Sequence, residues 1–167
     1  VFTLDPGRAF GSGLHETTQL VMRELERGIE GGEAILDVGC GSGILGIAGL
    51  LLGAASVEAL DVDPDAVAVT LENARVNAVE DRVTASTRPV GEENGRYPWV
   101  LANIEARVLV PLARDIAAVV APSGTLVLSG ILVGQEDEVR AAYPELEEVA
   151  RPVMGDWVAL VLKRPGA

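Results

Sequence analysis

The sequence holds one cysteine (Cys40), one histidine (His15) and no apolar run near the length of a membrane span. A single cysteine excludes an internal disulfide and suits a reducing compartment, so a cytoplasmic protein is expected. One Cys with one His also excludes a dedicated Cys/His zinc site, and no metal is expected. A membrane span needs about 18–20 apolar residues. The longest candidate, Ile44 to Ala55, is shorter, rich in Gly and Ala, and reads as a buried helix. Basic side chains are scarce: 13 stand against 25 acidic ones, a net charge of −12. That balance argues against direct nucleic-acid binding, which needs a basic surface. A basic protein or a cationic ligand is the more natural partner, unless the acids serve only solubility. The start has neither a basic region nor a cleavage site, so no signal peptide is expected. The first residue is Val1 rather than Met, which reads as a fragment or a trimmed chain.

What is present fits one α/β domain spanning residues 1–167. With 49% hydrophobic residues, a chain of this length can bury a full core. Apolar runs at Ala34–Val38, Val57–Asp61, Val83–Ser86, Trp99–Asn103, Thr125–Ser129, Glu147–Arg151 and Trp157–Leu162 read as strands. Helical periods fall at Glu16–Arg27, Ile44–Leu52, Pro64–Asn77, Leu109–Val120 and Gln135–Ala142. Asp63 before Pro64 fits an N-cap followed by proline in the first helical position. Alternating strands and helices predict a mostly parallel sheet covered on both faces. Met154 to Asp156 is too short for a parallel crossover, so the last two strands should be antiparallel. The Gly- and Pro-containing stretches Val1–Gly13 and Thr87–Pro98 read as irregular.

The chemistry concentrates after the first strand. Asp37-Val38-Gly39-Cys40-Gly41-Ser42-Gly43 opens a helix, and its glycines permit tight turning and close backbone approach to a ligand. Asp61 ends the second strand 22 residues after Gly39. In a doubly wound sheet an acid there faces the crevice and can bind both ribose hydroxyls. Gly41-Ser42-Gly43-Ile44-Leu45-Gly46 also matches the dinucleotide fingerprint. S-adenosyl-L-methionine is favoured over NAD for three reasons. Asp37 extends the loop to D-x-G-x-G-x-G, a helix precedes the first strand, and one domain leaves no room for a dehydrogenase's substrate domain. Gly46 and Gly49 then read as close helix–sheet packing, and Cys40 as a small buried side chain. Trp99 and Trp157 read as core residues of their strands.

Asp5-Pro-Gly-Arg-Ala-Phe10-Gly-Ser12-Gly-Leu-His15-Glu16-Thr17-Thr18 resembles the opening segment of the bacterial ribosomal protein L11 methyltransferase family. The likeness continues through Asp37–Leu45, Asp61-Val62-Asp63-Pro64, Ala102-Asn103, Ser129-Gly130-Ile131-Leu132 and Asp156-Trp157. It implies a seven-stranded, mostly parallel Rossmann-like sheet with the last strand antiparallel. It implies S-adenosyl-L-methionine as donor, and as acceptors the lysine side chains or N-terminal amine of a large-subunit ribosomal protein. By motif position it places Thr18, Gly39, Gly41, Asp61 and Asn103 at the cofactor, and Asn103 also at the reaction. Ser12 stands where Thr is usual and Glu16 where Pro is common. The family's additional N-terminal, substrate-gripping domain has no counterpart among these residues. A small-molecule methyltransferase, or a cofactor-binding domain inactive without its targeting module, are the competing readings.

Asn103 ends the fourth strand beside the switch point where ligands bind. Its amide oxygen can accept from an amine, with Ile104 as an apolar wall; the alternative is a cap on the next helix. His15 reads either as a general base or as a cap and packing residue. Thr17 and Thr18 read as contacts to the methionine carboxylate at a helix N-terminus, or as first-turn caps.

Overall fold

The structure is a computed structural model, and residues 15–166 are described. The opening segment read above, up to Leu14, therefore lies outside the described residues. Helix α1 (Glu16–Gly28) precedes β1 (Ala34–Val38), which leads into α2 (Ile44–Leu51) and β2 (Ser56–Leu60). Then come α3 (Pro64–Val76), β3 (Val83–Ser86), β4 (Tyr97–Asn103), α4 (Ala106–Leu109) and α5 (Ala113–Ala118). The chain continues with β5 (Val120–Leu132), α6 (Glu136–Ala141), β6 (Glu147–Ala150), β7 (Val153–Met154) and β8 (Trp157–Lys163).

The strands form one sheet in the order β3-β2-β1-β4-β5-β8-β6, with the short β7 paired to β8. Strands β1 to β5 pair in parallel, while β8 runs antiparallel to both β5 and β6. Strand order reverses between β1 and β4, which opens a crevice at their carboxyl ends. No described helix is long and apolar enough to cross a membrane.

Why the central strands are apolar on both faces is visible residue by residue. Ile35, Leu101 and Val127 enter a core shared with Val21 and Leu25 of α1 and Ile47 of α2. Their neighbours Leu36, Val100 and Leu126 enter the opposite core with Leu109, Ile116 and Tyr143. Each such buried aliphatic contributes about 1.5–3 kcal/mol. Asp63 caps α3 by accepting from the Asp65 N–H at 2.8 Å, with Pro64 following as expected.

Three sequence expectations are corrected. The single helix over Leu109–Val120 is two, α4 and α5, because Pro111 lacks an N–H and cannot donate to the carbonyl one turn back. The fifth strand is much longer than Thr125–Ser129: it starts at Val120, opposite Tyr97, and runs on past Ser129 through a register shift between Leu128 and Ile131 that contains Gly130 (φ 86°). The closing hairpin is formed by β7 and β8 across Gly155-Asp156, with β6 pairing further along β8.

Helix α2 lies against the sheet through its glycines. A Cβ on Gly46 would stand 2.7 Å from Val57 Cγ1, and one on Gly49 would collide with Ile35 Cδ1. Gly46→Ala gains about 1 kcal/mol of helix propensity but overpacks β2 at a cost of about 1–3 kcal/mol. A net loss of about 1 kcal/mol is expected in denaturant unfolding, and the same substitution should cost less when made in a Val57→Ala background, where the contact is gone. Stabilisation by Gly46→Ala alone would show that the contact is slack.

Candidate functional site

The loop between β1 and α2 turns through left-handed backbone at Gly39 (φ 71°), Gly41 (φ 56°) and Gly43 (φ 81°). The N–H groups of Gly39 and Cys40 both donate to the Leu60 carbonyl, at 2.7 and 2.9 Å, so the loop is tied to the end of β2. A side chain on Gly39 would collide with Ile104, 2.7 Å from its Cγ2. Gly39 thus brings the loop against the end of β4. Cys40 is buried, and burial first, then the charge of Asp37, pushes its thiol up to about 12, which makes it a poor nucleophile.

Two carboxylates serve this loop from opposite sides. Asp61 accepts from the Gly41 N–H through Oδ2 at 3.0 Å and from the Asp63 N–H through Oδ1 at 2.9 Å. Each oxygen keeps a further lone pair for a ligand hydroxyl. Asp37 is buried at the end of β1 and accepts from the Gly46 N–H, one of the amides left free at the start of α2. Its Oδ2 has no partner. Burial, then the charge of Asp61, raises its pKa to about 7 against the Gly46 hydrogen bond.

The third side comes from the start of α1 and the end of β4. Asn103 Nδ2 reaches Thr18 Oγ1 at 3.5 Å, and Asn103 Oδ1 is buried without a partner. Asn103 does not cap α4; Glu105 occupies that position. His15 does cap α1: its Nδ1 lies 3.2 Å from the Thr17 N–H and 2.9 Å from Thr17 Oγ1. The His15 ring sits edge-on to Trp157, with centroids 5.4 Å apart. Ser129 Oγ donates to the Thr17 carbonyl at 2.9 Å, so the first turn of α1 is stitched to β5 as well.

These groups surround one crevice of about 350 Å³. All five sequence-derived candidates line it: Thr18, Gly39, Gly41, Asp61 and Asn103. Thr17 is fully buried behind them. Asp37, Gly130, Glu105, Arg107 and Trp157 also line it and were not among the candidates. The expectation that Trp157 is simply a core residue is corrected: it lies on β8 but faces the crevice, whereas Trp99 is buried in the core. A second cavity of about 340 Å³, walled mostly by apolar residues, adjoins the first across Gly39, Asp61 and Ile104. No His/Cys/Asp/Glu cluster able to hold a metal occurs among the described residues.

The sheet order with its reversed last strand, and a crevice with a glycine loop on one side and a strand-end acid on the other, define the Rossmann-like methyltransferase fold. The family model for ribosomal protein L11 methyltransferase matches residues 1–165. Ribosomal protein L11 methyltransferases of Sorangium cellulosum and Citrifermentans bemidjiense are each 46% identical over 99% of this chain. The crystal structure of a ribosomal protein L11 methylase from Lactobacillus delbrueckii subsp. bulgaricus superposes with a TM-score of 0.91 at 32% identity. That match covers 98% of this chain and 85% of that one. The chain belongs to the ribosomal protein L11 methyltransferase family. It spans 60% and 56% of the length of the two curated relatives.

The raised pKa of Asp37 has a definite sign. The folded chain holds this proton more tightly than the unfolded chain, so stability falls as pH rises from the ordinary carboxylate range to about 7. Asp37→Asn removes that penalty. Its stability relative to the parent should improve by roughly 2 kcal/mol between pH 5 and pH 8. Unfolding curves at both pH values check this, and a pH-independent difference would mean that Asp37 is ionised throughout.

Proposed function

We propose that the chain is the catalytic portion of an S-adenosyl-L-methionine-dependent N-methyltransferase acting on amines of a large-subunit ribosomal protein, in the cytoplasm. The observation that carries this reading is Asn103 Oδ1, a buried acceptor with no donor on the wall of a nucleoside-type crevice. A buried polar atom without a partner in the free protein is a demand for one in the complex, and an amine N–H meets it.

The residues present fit the cofactor. Asp61 would take the ribose hydroxyls on its remaining lone pairs, with the loop at Gly39 and Gly41 giving close backbone approach. The adjoining apolar cavity would take the adenine. The unpartnered Asp37 Oδ2 and the Thr18 hydroxyl would hold the amino-acid end. When bound, that cofactor supplies a methyl carbon already activated by a sulfonium.

The protein's part is alignment and exclusion of water. An acceptor amine must shed its proton to attack, and a lysine near pKa 10.4 is mostly charged at neutral pH. The apolar lining from Ile104, Val108 and Trp157 favours the neutral form by desolvation. Asn103 Oδ1 then accepts an amine hydrogen and orients the nitrogen lone pair. His15 is engaged with Thr17 as a helix cap, which supports positioning over proton transfer. The net charge of −12 would draw a basic acceptor in a salt-dependent manner.

Calorimetry should show binding of S-adenosyl-L-methionine and none of NAD; tighter NAD binding overturns the cofactor assignment. Asp61→Asn keeps an acceptor for the Gly41 N–H but loses the charge. It should weaken cofactor binding by about 1–3 kcal/mol with folding retained, and unchanged affinity would make Asp61 purely structural. Labelled methyl transfer assayed against ribosomal proteins, small amines and no acceptor tests the acceptor class. Labelling of ribosomal protein is expected, and labelling confined to small amines would reassign the enzyme.

A further inference from the structure

Two buried side chains of α3 touch the glycine loop from behind, on the side away from the crevice chemistry. Thr70 Oγ1 donates to the Gly41 carbonyl at 3.1 Å and lies 3.3 Å from Cys40 Sγ. One turn further on, Asn73 Nδ2 donates to the Ser42 carbonyl at 2.9 Å. Thr70 and Asn73 are each only 1% exposed. The Thr70 side chain also fills the space where a Cβ on Gly43 would sit, at 2.7 Å from Cγ2 and 2.9 Å from Oγ1.

These contacts act on the same short backbone that meets Asp61. Gly41 is held through its carbonyl by Thr70 and through its N–H by Asp61. Fixing the carbonyl fixes the plane of the peptide that follows Gly41, and Asn73 fixes the next one. Glycine at φ 56° has no side chain to restrict it, so without such anchors the loop has other conformations open to it. Hydrogen bonds in a buried setting are strong enough to choose among them. Asp61 in turn has one oxygen committed to Gly41 and one to the Asp63 N–H, so its carboxylate direction depends on where Gly41 is held.

We infer that Thr70 is a positioning residue for the cofactor site, acting through the Gly41 peptide to hold Asp61 in its ligand-ready orientation, with Asn73 as its companion on the following peptide. This rests on the cofactor reading above. The part played by the hydroxyl is separable from packing. Valine keeps the shape of threonine without the donor, and serine keeps the donor without the methyl that packs on Gly43.

The test uses the whole chain as Thr70→Val, Thr70→Ser and the parent. Two readouts are taken: calorimetric affinity for S-adenosylhomocysteine and hydrogen exchange at the Gly41 amide. Thr70→Val should bind about five- to tenfold more weakly, and its Gly41 amide should exchange faster. Thr70→Ser should stay near the parent in both, even where its melting temperature drops more than that of the valine variant. Asn73→Leu should weaken affinity in the same direction. Parental affinity and parental Gly41 exchange in Thr70→Val would overturn the proposal while leaving the cofactor assignment intact. Affinity that follows melting temperature across the variants, with serine no better than valine, would also overturn it. Failure of the parent itself to bind would instead overturn the cofactor assignment and this inference with it.

Discussion

The hydrogen bond from the Gly41 N–H to Asp61 joins the two halves of the nucleoside site, and most of the architecture serves to hold its two ends at 3.0 Å. One end is carried by a loop that only left-handed glycines allow. The other end stands immediately after β2. The parallel registers of β1 with β2, and the two loop amides on Leu60, bring them together. The bond's net contribution is modest, about 1.5–3 kcal/mol for a charged acceptor. Its geometry is nonetheless set by the cores on either side of the sheet, because the strands bearing it cannot shift without breaking both.

The same constraint explains the charge arrangement. Asp37 and Asp61 both approach the glycine loop, and like charges in a poorly solvated place raise the cost of ionisation. Asp61 accepts from two backbone donors, whereas Asp37 has the Gly46 amide and one unpartnered oxygen. A folded protein that keeps such a group forgoes stability at neutral pH, a cost usually found where a ligand supplies the missing partner.

Much of this was legible in the residues. Strands such as Ile35-Leu36 and Val100-Leu101 are apolar on both faces because each residue of the pair feeds a different core, and that pattern is visible without coordinates. Asp63-Pro64 announced the start of α3, and the spacing of the glycine loop and Asp61 brought them to one crevice. What stayed hidden depended on distance along the chain or on a local override. Thr70 and Asn73 meet the loop across 29 and 31 residues, and nothing in their immediate neighbours marks them. Trp157 precedes a run of core residues, Val158 to Leu162, so its turn toward the crevice follows from the hairpin register. Pro111 was a legible helix breaker, outweighed by the apolar period around it. Gly130 disguised the length of β5, since a left-handed glycine reads as an end and here makes a bulge.

That bulge has a mechanical consequence. Strand β4 stops at Asn103 opposite Ser129, and beyond this point only β8 and the short β7 accompany β5, a narrow antiparallel ribbon ending near Trp157. Ribbons of few strands twist more readily than a broad sheet, and elements with little backing open at lower cost than the core. The floor of the crevice is therefore stiff, because Asp37, Gly39 and Asn103 all stand at the ends of broad-sheet strands. The Trp157 wall is carried by fewer strands and should yield first. A cleft built from one rigid and one yielding jaw can keep its grip on a small constant ligand while admitting side chains presented on backbones of different shape.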